Sequence, residues 1–331
     1  MENALFQAHE LLPDAVMARL TEIRITDPEY AFRAAAQRER RELIAPAGRL
    51  NILAADHPAR YVTKVGDSGL AMADRRDYLA RILRVLSAPG VDGIMATMDI
   101  LEELLILDRI LREDGAHSPI GRKLLIGSLN RGGLAGSAWE LDDPMTGPSP
   151  ATCAALHLDG AKVLLRVALE EPDSLKTILA SAQAITECNA LRVPMFLEPL
   201  PVKKSDSGWS VKKDRESLAR LVGVVSALGD SSRYLWLKLP YCDGFETVAR
   251  STSLPILLLG GESAGNPEPF LNELVSAMRT GANVRGALVG RNVLYPGGED
   301  PLGMARAVSG IVHQNWSVEQ ALASLRTDGA A

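Results

Sequence analysis

The sequence offers little that would tie it to metal, disulfide or nucleic-acid chemistry. Its 331 residues include three cysteines, Cys153, Cys188 and Cys242, at spacings that fit neither a CxxC metal knuckle nor a disulfide framework, so a reducing, cytoplasmic setting is expected. Five histidines stand far apart, at positions 9, 57, 117, 157 and 313. Only His57 falls at the end of an expected strand, so no zinc site assembles from them and neither metal nor cofactor is expected. The formal net charge is −5, which leaves no field to gather a phosphate backbone and argues against nucleic acid as a partner. No apolar run approaches the roughly 18 residues of a membrane span. The first twenty residues are acidic early and lack the apolar stretch of a secretory signal. Glycine fingerprints are poor as well: RGGLAGSA at 131 misses the GxGxxG register and no GxxxxGK[ST] occurs, which weakens dinucleotide and P-loop readings.

What is present is a folding chain, 47% hydrophobic and 23% charged. Residues 1–48 are charged and helical in pattern, with EYAFRAAAQRERREL free of Gly and Pro, and read as an N-terminal helical extension. From residue 49 onward eight short apolar runs recur: NILAA at 51, GIMAT at 93, LLIGSL at 124, KVLLRVA at 162, PMFLEPL at 194, YLWLKLP at 234, PILLLGG at 255 and GALVG at 286. They are continuously apolar, as strands covered on both faces must be. Segments of helical spacing lie between them, such as Tyr78, Leu79, Ile82, Leu83 and Leu86. Eight strand–helix units in order predict an α/β fold, a (β/α)8 TIM barrel over 49–331.

In such a barrel, chemistry is built at the C-terminal ends of the strands. Asp56 and His57, Asp99, and Asn130 with Arg131 follow the first three runs and are expected to ring the mouth. Lys162, Glu198 and Lys238 are embedded in the fourth, fifth and sixth runs. Lys and Glu are rarely buried unpaired, so three of them in apolar strands fit either a structural ion-pair network or a reactive site. A lysine in an apolar pocket beside a second cation can be a free amine near neutral pH and attack a carbonyl, and a neighbouring carboxylate can shuttle the protons. Gly260, Gly261, Gly290 and Arg291 finish the last two runs, where barrels often hold phosphate. Glu262 is an awkward neighbour for a phosphate and is expected to point away or to bind a basic residue. Cys242 reads as a buried small residue. The polar segment 202–214, four lysines around one Trp, reads as a surface loop or as a lid over the substrate.

These residues together resemble the class I aldolases of the archaeal-type fructose-bisphosphate and tagatose-bisphosphate aldolase families, over roughly residues 50–312. The matches are LAAD ending at Asp56, LDGAKVLLRVAL with Lys162, PMFLEPLP with Glu198, LWLKLPY with Lys238, and the turns LLLGGES and LVGRNVLYP. His57 and Pro58 depart from the Gly-rich or Arg-containing turn expected after the first-strand Asp. The resemblance implies a metal-independent carbon–carbon lyase with Lys238 as the Schiff-base nucleophile and Glu198 as general acid and base. Lys162 would keep Lys238 poised, Asp56 would orient Lys162, and Gly260, Gly261, Gly290 and Arg291 would hold a phosphate. The implied partner is a small phosphorylated ketose or keto sugar acid, with a homo-oligomer left open. Two alternatives share the pattern: a deoxyribose-phosphate-type or transaldolase-like lyase using the same lysine, and a non-catalytic sugar-phosphate-binding barrel.

Overall fold

Each apolar run forms a strand. In the computed structural model, which describes residues 6–205, 208–263 and 265–327, the strands are β1 (Leu50–Ala55), β2 (Gly93–Ala96), β3 (Leu124–Ser128), β4 (Gly160–Val167), β5 (Met195–Ser205), β6 (Gly208–Val211), β7 (Leu235–Leu239), β8 (Ile256–Leu258) and β9 (Val284–Val289). All but β6 pair in parallel in the order β4-β3-β2-β1-β9-β8-β7-β5, and β4 pairs with β5 to close the ring. The fold is therefore an eight-stranded parallel (β/α)8 barrel with helices around it.

The two-residue period of a strand explains why the runs are apolar throughout. Leu50, Ile52 and Ala54 point inward and pack with Met95, Leu124, Ile126, Phe196, Leu257 and Leu288 to fill the lumen. Their neighbours Leu53, Ile94, Leu125, Val163, Leu197 and Leu258 face outward into a second cluster beneath the helices. Neither face meets water.

Among the described residues, three helices lie ahead of β1, α1 (Ala8–Leu11), α2 (Asp14–Thr26) and α3 (Tyr30–Gln37). The helical pattern predicted through residue 43 stops at Gln37, because Arg38 turns extended, φ −64° and ψ 136°. Its guanidinium reaches across the barrel to the backbone oxygen of Lys123 (2.8 Å) and to Asp159 Oδ2 (2.5 Å). Arg40 donates to Asp159 Oδ1 (3.2 Å) and Arg41 to Asp92 Oδ1 (2.9 Å). Ile44 and Ala45 then pack on the lumen cluster. Asp92 and Asp159 directly precede β2 and β4, so this charged strap covers the N-terminal end of the barrel.

The segment after Pro201 is not a simple loop. Val202–Ser205 continue β5 and pair antiparallel with β6, Val202 opposite Val211 and Lys204 opposite Trp209. Its alternation of apolar and polar residues suits a hairpin with one face on the protein. Asp206 and Ser207, between β5 and β6 in the sequence, lie outside the described residues. Among the described residues no helix is long and apolar enough to cross a membrane.

Candidate active site

Inward alternation carries the polar side chains to one end of the lumen. Asp56 follows Ala54 in the inward series of β1, Lys162 and Arg166 flank Leu164 on β4, Glu198 follows Phe196 on β5, and Lys238 follows Trp236 on β7. Parallel register then brings them together, with Lys162 opposite Ser128 and Phe196, and Glu198 opposite Leu164. One carboxylate oxygen, Glu198 Oε2, accepts from Lys162 Nζ (2.7 Å) and from Lys238 Nζ (3.0 Å). Lys162 also lies 3.2 Å from Asp56 Oδ2. Ser128 Oγ donates to that Asp56 oxygen (3.1 Å), and the Arg131 guanidinium contacts it as well. All five charged groups are buried.

Burial sets the protonation of this cluster. Desolvation is the largest influence on both lysines and lowers both, Lys162 well below its ordinary value. Arg131 adds to the lowering at each, while Glu198 opposes it. Burial alone would raise Glu198, but Lys162 and Lys238 outweigh it and hold the carboxyl far below the usual range. Were both lysines ammonium ions, Asp56, Arg131, Lys162, Glu198 and Lys238 would leave one positive charge uncompensated away from water. Loss of one proton brings the cluster to neutrality, and the shared oxygen lets either amine be the one that loses it. The lowering is greater at Lys162, the more deeply buried of the two.

The cluster forms the floor of a cavity of about 650 Å³. Asp56, Lys162, Glu198, Lys238, Gly260, Gly261, Gly290 and Arg291 all line it. At Gly290 an added Cβ would come within 2.4 Å of the Ala54 backbone oxygen and 2.5 Å of His57 Cε1, so a side chain there would collide with β1. Gly261 has φ +68°, which favours glycine. Asn292 Nδ2 donates to the Gly260 oxygen (2.6 Å) and ties the last two loops together. Arg291 is largely buried and donates to Glu262 Oε1 (3.3 Å), as expected for that carboxylate. His57 also faces the cavity. Burial, then Arg291 and Lys238, push its imidazole well below its ordinary value, and its Nδ1 has no hydrogen-bond partner among the described residues.

Not every residue expected at the mouth reaches it. Asp99 sits in the first turn of the helix Met98–Glu113, where a carboxylate is favoured, and pairs with Arg75 (2.7 Å) away from the cavity. Asn130 is buried and braces β4, accepting from the Leu164 backbone nitrogen (2.8 Å) and donating to its oxygen (2.7 Å). Cys242 is buried outside the cavity lining, and burial pushes its thiol up to about 11.

Sequence reasoning missed other groups. Arg60, Glu140 and Arg166 line the cavity as an ion-paired group. The period of two from Lys162 would have found Arg166. Leu200, Val202, Trp209, Val211 and Leu259 form an apolar wall. Of the lysines in 202–214 only Lys213 lines the cavity, its Nζ 3.8 Å from where a Cβ at Gly261 would stand.

A family model described as Cgl0159-like matches residues 48–310. The crystal structure of Cgl0159 from Corynebacterium glutamicum is 35% identical and superposes with a TM-score of 0.85, covering 92% of this chain and 99% of that one. An uncharacterized aldolase of Saccharolobus solfataricus is 34% identical over 143 residues, 42% of this chain and 49% of that protein. A Salmonella typhimurium protein named 3-hydroxy-5-phosphonooxypentane-2,4-dione thiolase is 36% identical over 70% of this chain and 69% of its own length. The match to the Saccharolobus aldolase thus spans about half of that relative.

Proposed function

The chain belongs to the Cgl0159-like family, and on that footing we propose that it is a class I aldolase that cleaves a phosphorylated ketose or keto sugar acid to dihydroxyacetone phosphate and an aldehyde. The observation that carries this reading is the pair of buried lysines on one carboxylate oxygen at the floor of the cavity. The relatives named aldolase and thiolase are consistent with carbon–carbon chemistry at such a site. In the proposed cycle the Lys238 amine adds to the substrate ketone, and loss of water gives a protonated imine. Glu198, held as a carboxylate, relays protons during that dehydration and takes the proton from the hydroxyl beyond the scissile bond. The bonding electrons then flow into the iminium, the aldehyde departs, and the enamine is protonated and hydrolysed. Lys162 takes up the proton that Lys238 must lose, and Asp56, with Ser128 and Arg131, orients Lys162.

The phosphate rests at Gly260, Gly261, Gly290 and Arg291, with Lys213 as a second cation beside Gly261. A cytoplasmic setting, the lack of a nucleic-acid partner and the two-part division at residue 48 belong to the same proposal. Borohydride trapping with dihydroxyacetone phosphate tests it: the reduced ligand mass should appear on a peptide containing Lys238. A non-catalytic binder would show no adduct, and trapping on Lys162 would reverse the assignment of the nucleophile. A panel of phosphorylated ketoses and keto sugar acids, assayed for triose phosphate release, then identifies the substrate.

A further inference from the structure

The phosphate seat is electrically full when empty of ligand. Two cations, Arg291 and Lys213, and two carboxylates, Glu262 and Glu273, line this end of the cavity. Arg291 is paired with Glu262, and Lys213 acts on Glu273. A phosphate monoester brings roughly −1.5 to −2 charges near neutral pH, so its entry beside both carboxylates would meet like-charge repulsion. One carboxylate has to leave.

Three observations say which. The Glu262 side chain is 87% exposed while Arg291 is only 16% exposed, so the carboxylate is free to swing into water and the guanidinium is not. Glu273, by contrast, is partly buried on the helix Glu268–Met278. The link between Glu262 and Arg291 is a single 3.3 Å contact to Nη1, and the buried Nε of Arg291 has no partner among the described residues. A carboxylate held by one long contact is a weak occupant. A phosphate offers several oxygens to the same guanidinium, in the short charge-assisted geometry that arginine favours.

We propose that Glu262 is a built-in competitor for the substrate phosphate: it occupies Arg291 in the empty site, yields it when a phosphorylated ligand enters, and reclaims it as the product leaves. This rests on the reading that Arg291 seats the phosphate. Exchange of this kind keeps Arg291 from weaker anions between turnovers and speeds release of dihydroxyacetone phosphate. Because the pair is exposed on one side, its effect is modest. Exposed ion pairs of this sort correspond to about a two- to fivefold change in affinity.

The test is calorimetric titration of inorganic phosphate and of dihydroxyacetone phosphate into the wild type, Glu262→Gln, Arg291→Ala and the double variant. Glu262→Gln should tighten both ligands about two- to fivefold, with Glu262→Asp between it and the wild type. The KM for a phosphorylated substrate should fall by the same factor without a rise in kcat. In the Arg291→Ala background the Glu262→Gln change should do nothing, as a contact made through Arg291 requires. Unchanged or weaker binding by Glu262→Gln overturns the proposal, and so does tightening that persists without Arg291. If Arg291→Ala alone leaves phosphate affinity unaltered, the phosphate seat itself is misplaced and the inference falls with it. If Arg291→Ala weakens binding but Glu262→Gln does not tighten it, only the competitor role falls.

Discussion

Replacing Lys162 by methionine should shift the pH dependence of imine formation at Lys238 without removing the nucleophile. Both nitrogens touch Glu198 Oε2, at 2.7 and 3.0 Å, so they lie no more than 5.7 Å apart. At an effective dielectric of about 20, two unit charges at that separation repel by roughly 3 kcal/mol, so the two ammonium forms do not readily coexist. The pair therefore takes up its second proton reluctantly, and Lys238 is a free amine whenever Lys162 holds the first. In Lys162→Met the only ammonium available to Glu198 is Lys238 itself. Its ammonium form is then favoured, because Lys162 no longer competes with it for Glu198 and the carboxylate that raises its pKa remains. The amine needed for attack then becomes scarce at neutral pH, by a factor of up to about 100, and is recovered as pH rises. The assay is the rate of borohydride-trapped adduct with dihydroxyacetone phosphate from pH 6 to 10, with adduct mass confirming Lys238 as the site. An ascending limb that stays at the pH where the wild type has it would refute the poising role of Lys162. Methionine keeps most of the buried volume, so the protein should remain folded, and a circular dichroism melt checks this.

Two further outcomes follow from the same structure. Cleavage should survive EDTA, because the proposed electron sink is the imine; activity lost on chelation and restored by added metal would contradict a class I mechanism. Asp159→Ala should destabilise the fold by about 3 kcal/mol or more in urea titration, since it strips a buried partner from Arg38 and from the Leu125 backbone nitrogen. A loss under about 1 kcal/mol would mean that the strap is held mainly by its other contacts.

The strand positions and the inward polar residues were legible because both rest on short-range pattern. A buried strand needs an unbroken apolar run, and a Lys or Glu inside one stands out against it. Applying the two-residue period strictly from Lys162 would also have picked up Arg166. What escaped was decided by distant partners. The helix expected through residue 43 ends at Gln37 because Asp159 and Asp92, far along the chain, draw Arg38, Arg40 and Arg41 into an extended path. The hairpin of β5 and β6 was hidden by the polar letters of its outer face. Asp99 looked like a mouth residue only because it follows a strand, whereas Arg75 and the start of a helix claim it. Lys213 reaches the cavity through a pairing of strands that no local signal announces.

The strap beneath the barrel bears on the order of assembly. Arg38 and Asp159 are 121 residues apart in the chain, and Asp159 also accepts from the Leu125 backbone nitrogen, so its place is set only once β3 and β4 have met. The strap segment, which precedes every strand of the barrel in the chain, is thus among the last to lock, after long-range closure that is slow on entropic grounds. The strap lies at the opposite end from Lys238, so amide protons there can open to solvent and close again while the reactive cluster stays shut. Wear at the base and chemistry at the mouth then become separate problems for this chain, one governed by how often the strap releases and the other by where a single proton rests.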